Sequence, residues 1–229
     1  MKTFTRRSVL AFAALCLTLA ASAFPAEAQF MRSGPPAMHG VWHPTVGAGA
    51  AYDMTSAKSG KPTGMEFAVV GKATIDGKDG YWLEMTMNTD RGGETIIKTF
   101  VVTDGSSNRT IRMIMQMPGQ QPMDMTQMVN MHGGNSSQPS DVRNQGEDVG
   151  SESVTTPAGT FTCEHYRNKD GSGDVWISDK ISPWGMVKYQ GKDSSMVLTR
   201  LITGAKDKIT GTPVPFNPMT FGQQGQQPQ

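Results

Sequence analysis

The chain has 229 residues, with 21 Lys and Arg against 20 Asp and Glu and a formal charge of +1. Aromatic residues make up 7% and no segment carries a basic run, so neither the phosphate-neutralising patch nor the stacking platform of a nucleic-acid binder is present. This length predicts one folded domain with irregular ends.

Residues 1–28, MKTFTRRSVLAFAALCLTLAASAFPAEA, have a basic start, an apolar run and a small-residue end, the pattern of a secretory signal peptide. Ala26-Glu27-Ala28 predicts cleavage before Gln29, after which 18 basic and 19 acidic residues remain. The pair Arg6 and Arg7 resembles a twin-arginine signal, although Val9 stands where Phe is usual and no Lys follows. No later segment approaches the roughly 20 apolar residues of a spanning helix. The expectation is a periplasmic or secreted protein without a transmembrane segment. Cys16 lies inside the signal's apolar run behind Leu15, which excludes a lipidated cysteine, and its departure leaves Cys163 without an intrachain disulfide partner.

Residues 29–45 read as an irregular leader containing His39 and His43. From Val46, eight β-patterned runs recur between glycine and aspartate turns: MEFAVVGKATI, YWLEMTM, ETIIKTFVVT, RTIRMIMQM, GTFTCEHYR, DVWIS, GMVKYQ and SMVLTRLI. Their spacing predicts an all-β, mainly antiparallel meander over residues 46–210. DGKDG at 76–80 and KDGSGD at 169–174 predict hairpin turns, because glycine supplies the positive φ that tight connections need. Residues 133–148 are polar and rich in Gly, Ser and Asn, which predicts a mobile loop. Residues 211–229 form a Pro/Gln-rich tail expected to be disordered.

The most distinctive stretch is Met113 to Gly134. Ile111, Met113, Met115 and Met117 alternate with polar or β-branched neighbours, so a strand carries a methionine stripe on one face. Pro118 and Gly119 end that strand. Met125, Met128, Val129 and His132 then fall at i, i+3, i+4 and i+7, which predicts one short helix beginning near Asp124, an acceptable N-cap. Thioethers pack adaptably and suit surfaces that accept apolar ligands. Met113, Met115, Met117, Met125 and Met128 are therefore the expected lining for an apolar small molecule or lipid, if they are not simply core. The alternative is a Cu(I) site on Met123, Met125, Met128, Met131 and His132, since thioethers select Cu(I).

Conventional catalytic motifs are absent: there is no G-x-S-x-G, H-E-x-x-H, C-x-x-C or P-loop, and four scattered histidines make no zinc set. Cys163 shares a strand face with Phe161 and His165, the setting of a small buried apolar group rather than an activated nucleophile. Asn168 to Asp179 imitates a calcium loop only in part, with Asn first and Asp rather than Glu twelfth. The expectation is a non-enzymatic protein without a cofactor.

A resemblance rests on VGSESVTTPAGTFTCEHYR followed by DVWISDKISPWGMVKYQ. This order of short strand, T-P-A-G-T-F, strand, hairpin, W-I-S strand and P-W-G-M-V-K is similar to uncharacterised exported bacterial proteins. Their domains of unknown function form an open half-barrel like that of the periplasmic lipoprotein carriers. The carrying residues are Thr156, Pro157, Ala158, Gly159, Thr160, Phe161, Trp176, Ser178, Pro183, Gly185, Val187 and Lys188, over roughly Val149 to Gln190. The resemblance implies a fold and an envelope setting without an activity. Within it, Phe161 and Trp176 are expected to offer large apolar faces to the core.

Overall fold

The computed structural model describes residues 40–57, 60–88, 93–104, 107–131 and 141–216. The signal segment, the cleavage site at Gln29, His39, His132, residues 133–140 and residues 217–229 lie outside the described residues.

The described strands are β1 (Ala48–Ser56), β2 (Pro62–Ile75), β3 (Lys78–Asn88), β4 (Glu94–Asp104), β5 (Ser107–Gln116), β6 (Met123–Asp124), β7 (Gly146–Thr156), β8 (Gly159–Asn168), β9 (Gly173–Ile177), β10 (Met186–Gly191), β11 (Ser194–Thr203) and β12 (Val214–Pro215). Two short helices, α1 (Thr126–Met131) and α2 (Val142–Gln145), accompany them. The strands form one open sheet in the order β12-β6-β5-β4-β3-β2-β1-β11-β10-β9-β8-β7. Every pairing is antiparallel except that of β12 with β6. Its edge strands do not pair with each other, so the sheet remains open as the half-barrel reading expects.

Local chemistry explains the meander. Asp76 and Gly77 both take positive φ, 50° and 72°, as a two-residue hairpin turn matched to strand twist requires. The sheet's two halves meet where β1 pairs with β2 on one side and β11 on the other. Close approach there requires Gly49, since a Cβ at that position would lie 2.3 Å from the Phe67 carbonyl oxygen.

One face of the sheet holds the apolar core. Tyr52, Met65, Phe67, Val69 and Leu198 are at most 3% exposed, and the Tyr52 hydroxyl donates to the Met186 carbonyl at 2.9 Å. Residues 178–185 and the N-terminal segment 40–45 pack onto this side. Trp184, 2% exposed, accepts a hydrogen bond at its carbonyl from the Val41 amide at 2.8 Å. The Trp42 ring lies 4.4 Å from the Trp184 ring, and 6.4 Å, edge-on, from Tyr81. The expected irregular leader therefore ends, from Gly40, as a half-buried strap laid against Trp184.

The opposite face carries Glu66, Glu84, Lys98 and Gln116 in the first half of the sheet, and residues 205–210 run across it. The Lys208 amide donates to both carboxylate oxygens of Glu84 at 3.1 Å, Lys98 pairs with Asp207, and the Thr210 amide donates to Gln116 at 3.0 Å. Burial, reinforced by hydrogen bonding to the neighbouring Asp207 carboxyl, pushes Glu84 from 4.5 up to about 7. Asp207, despite its own desolvation, is held below its usual value by hydrogen bonds to Glu84 and Lys98.

A pH dependence follows. Because the folded state holds the Glu84 proton more tightly than the unfolded chain, its contribution is full below 4.5 and is lost as pH rises through about 7. Stability against urea is expected to increase from pH 8 to pH 5, by about 3 kcal/mol at most from this group. Asp207 acts in the opposite sense, but only below the usual carboxylate range. Glu84→Gln should flatten the pH 5–8 profile; a variant with the native slope would contradict this assignment.

Several boundaries differ from expectation. Twelve strands are described where eight runs were read, and α2 joins the one expected helix. Residues 141–148, read as part of a mobile loop, are helix and strand because Asp141 caps α2 through the Arg143 amide at 3.0 Å and Gly146 starts β7. Residues 214–215, read as tail, pair with β6: the Val214 amide donates to Pro122 at 2.9 Å and the Phe216 amide to Asp124 at 3.1 Å.

Candidate functional site

The methionine stripe continues across strands. Register aligns Phe67 with Met85, Met85 with Ile97, Ile97 with Met115, and Met115 with Met123. One row running from β2 to β6 on the core face is thus mostly thioether and aliphatic. Met85, Met115 and Met123 are 5%, 6% and 9% exposed, whereas Met113 and Met117 are half-buried.

Helix α1 is tied to this row. The Met125 amide donates to the Met113 carbonyl at 2.8 Å, and the Met113 amide donates to the Thr126 hydroxyl at 3.3 Å. The Asp124 carboxylate accepts from the Thr126 amide at 2.9 Å, while the Met125 carbonyl accepts from Met128 and Val129 at 2.9 and 3.3 Å. The helix thus starts one to two residues after the expected Asp124, with Met125 at its cap. Met125 and Val129, one turn apart, are buried at 2% and 4%. Met128 is half-buried, and Met131 points out at 75%. Of the five expected lining residues, Met115 and Met125 are covered by protein and the other three are partly accessible.

The described members of the Cu(I) set differ in exposure, and His132 lies outside the described residues. Met123 is buried in β6 and Met131 is exposed at the far end of α1. Among the described residues, no group of three His, Cys, Asp or Glu side chains is placed to hold a metal ion. In the partial calcium loop, Asp170 accepts from the Ser172 amide at 2.8 Å as a turn residue would. Cys163 is 1% exposed, and burial pushes its thiol up to about 11, which disfavours the thiolate that nucleophilic chemistry needs.

Two charged clusters had no signal in the sequence. On the face opposite the core, register aligns Lys188, Trp176 and His165. Lys188 sits 4.6 Å over the Trp176 ring, and His165 stacks on it at 4.4 Å. The His165 nitrogens face Glu152 at 3.1 Å and Asp174 at 2.8 Å, and the Trp176 indole donates to Glu152 at 2.5 Å. Trp176 is therefore half-buried on a polar face, not in the core; Trp184 is the tryptophan that fills it. Phe161 is likewise half-buried. Within this ladder His165 already faces two carboxylates and Lys188 sits on the Trp176 ring.

The second cluster lines a cleft of about 320 Å³ between the β2–β3 turn, β5 and α1. Lys78, Arg109 and Arg112 meet Asp76 and Asp124 there, with Thr126 and Asn130 forming the α1 wall. The same helix thus turns Met125 and Val129 to the interior and Thr126 and Asn130 to a polar cleft.

Comparison with known proteins gives structural neighbours alone, for no family model and no curated protein matches the sequence. A candidate lipoprotein from Parabacteroides distasonis superposes with a TM-score of 0.36 at 18% identity, over 72% of this chain and 99% of its own. A candidate exported protein with a YmcC-like fold from Bacteroides fragilis gives a TM-score of 0.35 at 15% identity, over 72% and 99%. MucB gives a TM-score of 0.39 at 12% identity, over 72% of this chain and 57% of its own.

Proposed function

We propose that this chain is an exported, non-enzymatic binding protein for an apolar or lipid-like ligand, held between the methionine row of β3–β6 and helix α1. The carrying observation is the in-register row Met85, Ile97, Met115 and Met123, with the buried Met125 and Val129 of the adjoining helix segment tied to β5 at Met113. Unbranched thioethers re-pack around guests of different shape at small cost. A helix of six residues is far below the roughly 12–15 at which isolated helices become marginal in water, so tertiary packing holds α1 in place. In this reading, lifting it opens Met113, Met115, Met117, Met125 and Met128 to a ligand together. In this reading an acyl chain takes the place of Met125 and Val129 against the row. Export rests on the signal pattern of residues 1–28.

Native mass spectrometry of the protein purified from its own host tests this reading. A co-purifying lipid-sized mass is the expected result. A copper adduct would instead favour the Met123, Met125, Met128, Met131 and His132 site, and a bare chain that also fails to take up added acyl probe would contradict the proposal.

A further inference from the structure

We infer that the charged cleft beside α1 is a binding site for a phosphate group. The inference goes beyond the apolar-ligand reading and stands without it. Its basis is an irregularity in β5. In a regular strand Arg109 and Arg112, an odd number of residues apart, would point to opposite faces. Here the ladder shifts: Arg112 pairs with Phe100, but Arg109 pairs with Val102. Phe100 and Val102 lie on the same face of β4, so the extra residue, Ile111, brings both guanidiniums to that face. A bulge that re-aims side chains in this way is a recurrent device beside functional sites.

Register adds the third cation. Val102 also pairs with Gly80, and Phe100 with Trp82, which places Lys78, two residues before Gly80, on that same face. The β4 residues that register places between these strands, Phe100 and Val102, are 0% and 2% exposed. Glycine is required at position 80, where a Cβ would lie 2.7 Å from the Phe100 ring. Among the described residues, Lys78, Arg109 and Arg112 form no ion pair, although six other basic side chains, counting His165, do. Two planar guanidiniums and an ammonium lining one cleft match the charge and oxygen geometry of phosphate. Asp124 already accepts from the Thr126 amide at 2.9 Å. Asp76, at the turn, is available to a donor on the remainder of the ligand. Phosphoethanolamine, whose amine would face these carboxylates, is therefore expected to bind more tightly than inorganic phosphate.

The test is an NMR titration of the full folded protein, following the arginine Nε–Hε resonances, with inorganic phosphate, phosphoethanolamine and a chloride control. Co-sedimentation with phosphatidylethanolamine vesicles runs in parallel. Saturable shifts at Arg109 and Arg112 with both phosphate compounds, and none with chloride, are expected. Arg109→Ala with Arg112→Ala should weaken binding at least about tenfold with an unchanged melting temperature, and the double Lys variant should recover only part of it. Vesicle binding lost in the double Ala variant would identify a lipid headgroup as the source, and soluble binding alone would identify free phosphate compounds. Absence of saturable shifts up to about 10 mM, or binding unaffected by the double Ala substitution, overturns the inference.

Discussion

Trp184→Ala is expected to cost about 3 to 5 kcal/mol of stability in urea denaturation, the range for removing a buried large aromatic side chain. The residue is 2% exposed and joins three parts of the chain: the loop 178–185 that carries it, the strap 40–45 through Trp42 at 4.4 Å, and β3 through the contact of Trp42 with Tyr81. Its removal leaves a cavity that these pieces cannot close, because the Gly40 backbone already lies so near that a Cβ there would sit 2.1 Å from the Trp184 oxygen. Trp184→Phe should cost much less than Trp184→Ala, since the indole N–H has no hydrogen-bond partner among the described residues and its loss orphans no acceptor. Trp176→Ala serves as the contrast. That ring lies half-buried on the polar face, and its removal is expected to cost nearer 1 kcal/mol. Equal losses for the two Ala variants would contradict the placement of the core.

The second large effect concerns the roof over the methionine row. Met125→Asp puts a carboxylate at a position 2% exposed with no cation assigned to it, and burying such a charge is costly enough to force α1 away from the row. Affinity for a fluorescent acyl probe should fall tenfold or more, while the central strands, which do not depend on α1, keep their cooperative unfolding. Converting Met123, Met125, Met128 and Met131 together to Leu should leave probe affinity and stability nearly intact, because each swap conserves volume and apolarity and usually costs less than about 1.5 kcal/mol. Leu cannot ligate copper. Tight Cu(I) binding by the native protein that vanishes in the Leu variant would transfer the function to the metal reading.

The strands that carry large alternating apolar residues were legible from sequence, as were the Asp76-Gly77 turn and the direction of the Met113, Met115 and Met117 stripe. Strand β1 was not, because AGAAYDMTS substitutes small residues where close packing against β2 excludes larger ones. In β7 most side chains are exposed on both faces, as suits an edge strand, so its residues show no alternation; only the family resemblance placed a short strand there. The methionine row needed inter-strand register to appear. Met85, 30 residues from Met115 in sequence, shares no local period with it. The cleft was invisible for a sharper reason: period-2 reasoning sends Arg109 and Arg112 to opposite faces, and nothing in SNRTIRMIMQ announces the bulge at Ile111. Trp176 was misplaced by treating a tryptophan in a strand as core when Lys188, His165 and Glu152 supply it with a polar setting.

The claim that α1 and the methionine row together hold an apolar ligand is tested most directly by methyl NMR of protein carrying ¹³C-methyl methionine, titrated with a long-chain acyl probe. Saturable shifts are expected at Met113, Met115, Met117, Met125 and Met128, with Met54 and Met196 of the β1–β11 pair unmoved. A probe that saturates the protein while leaving those five methyl groups unshifted, or that never saturates it, would contradict the account.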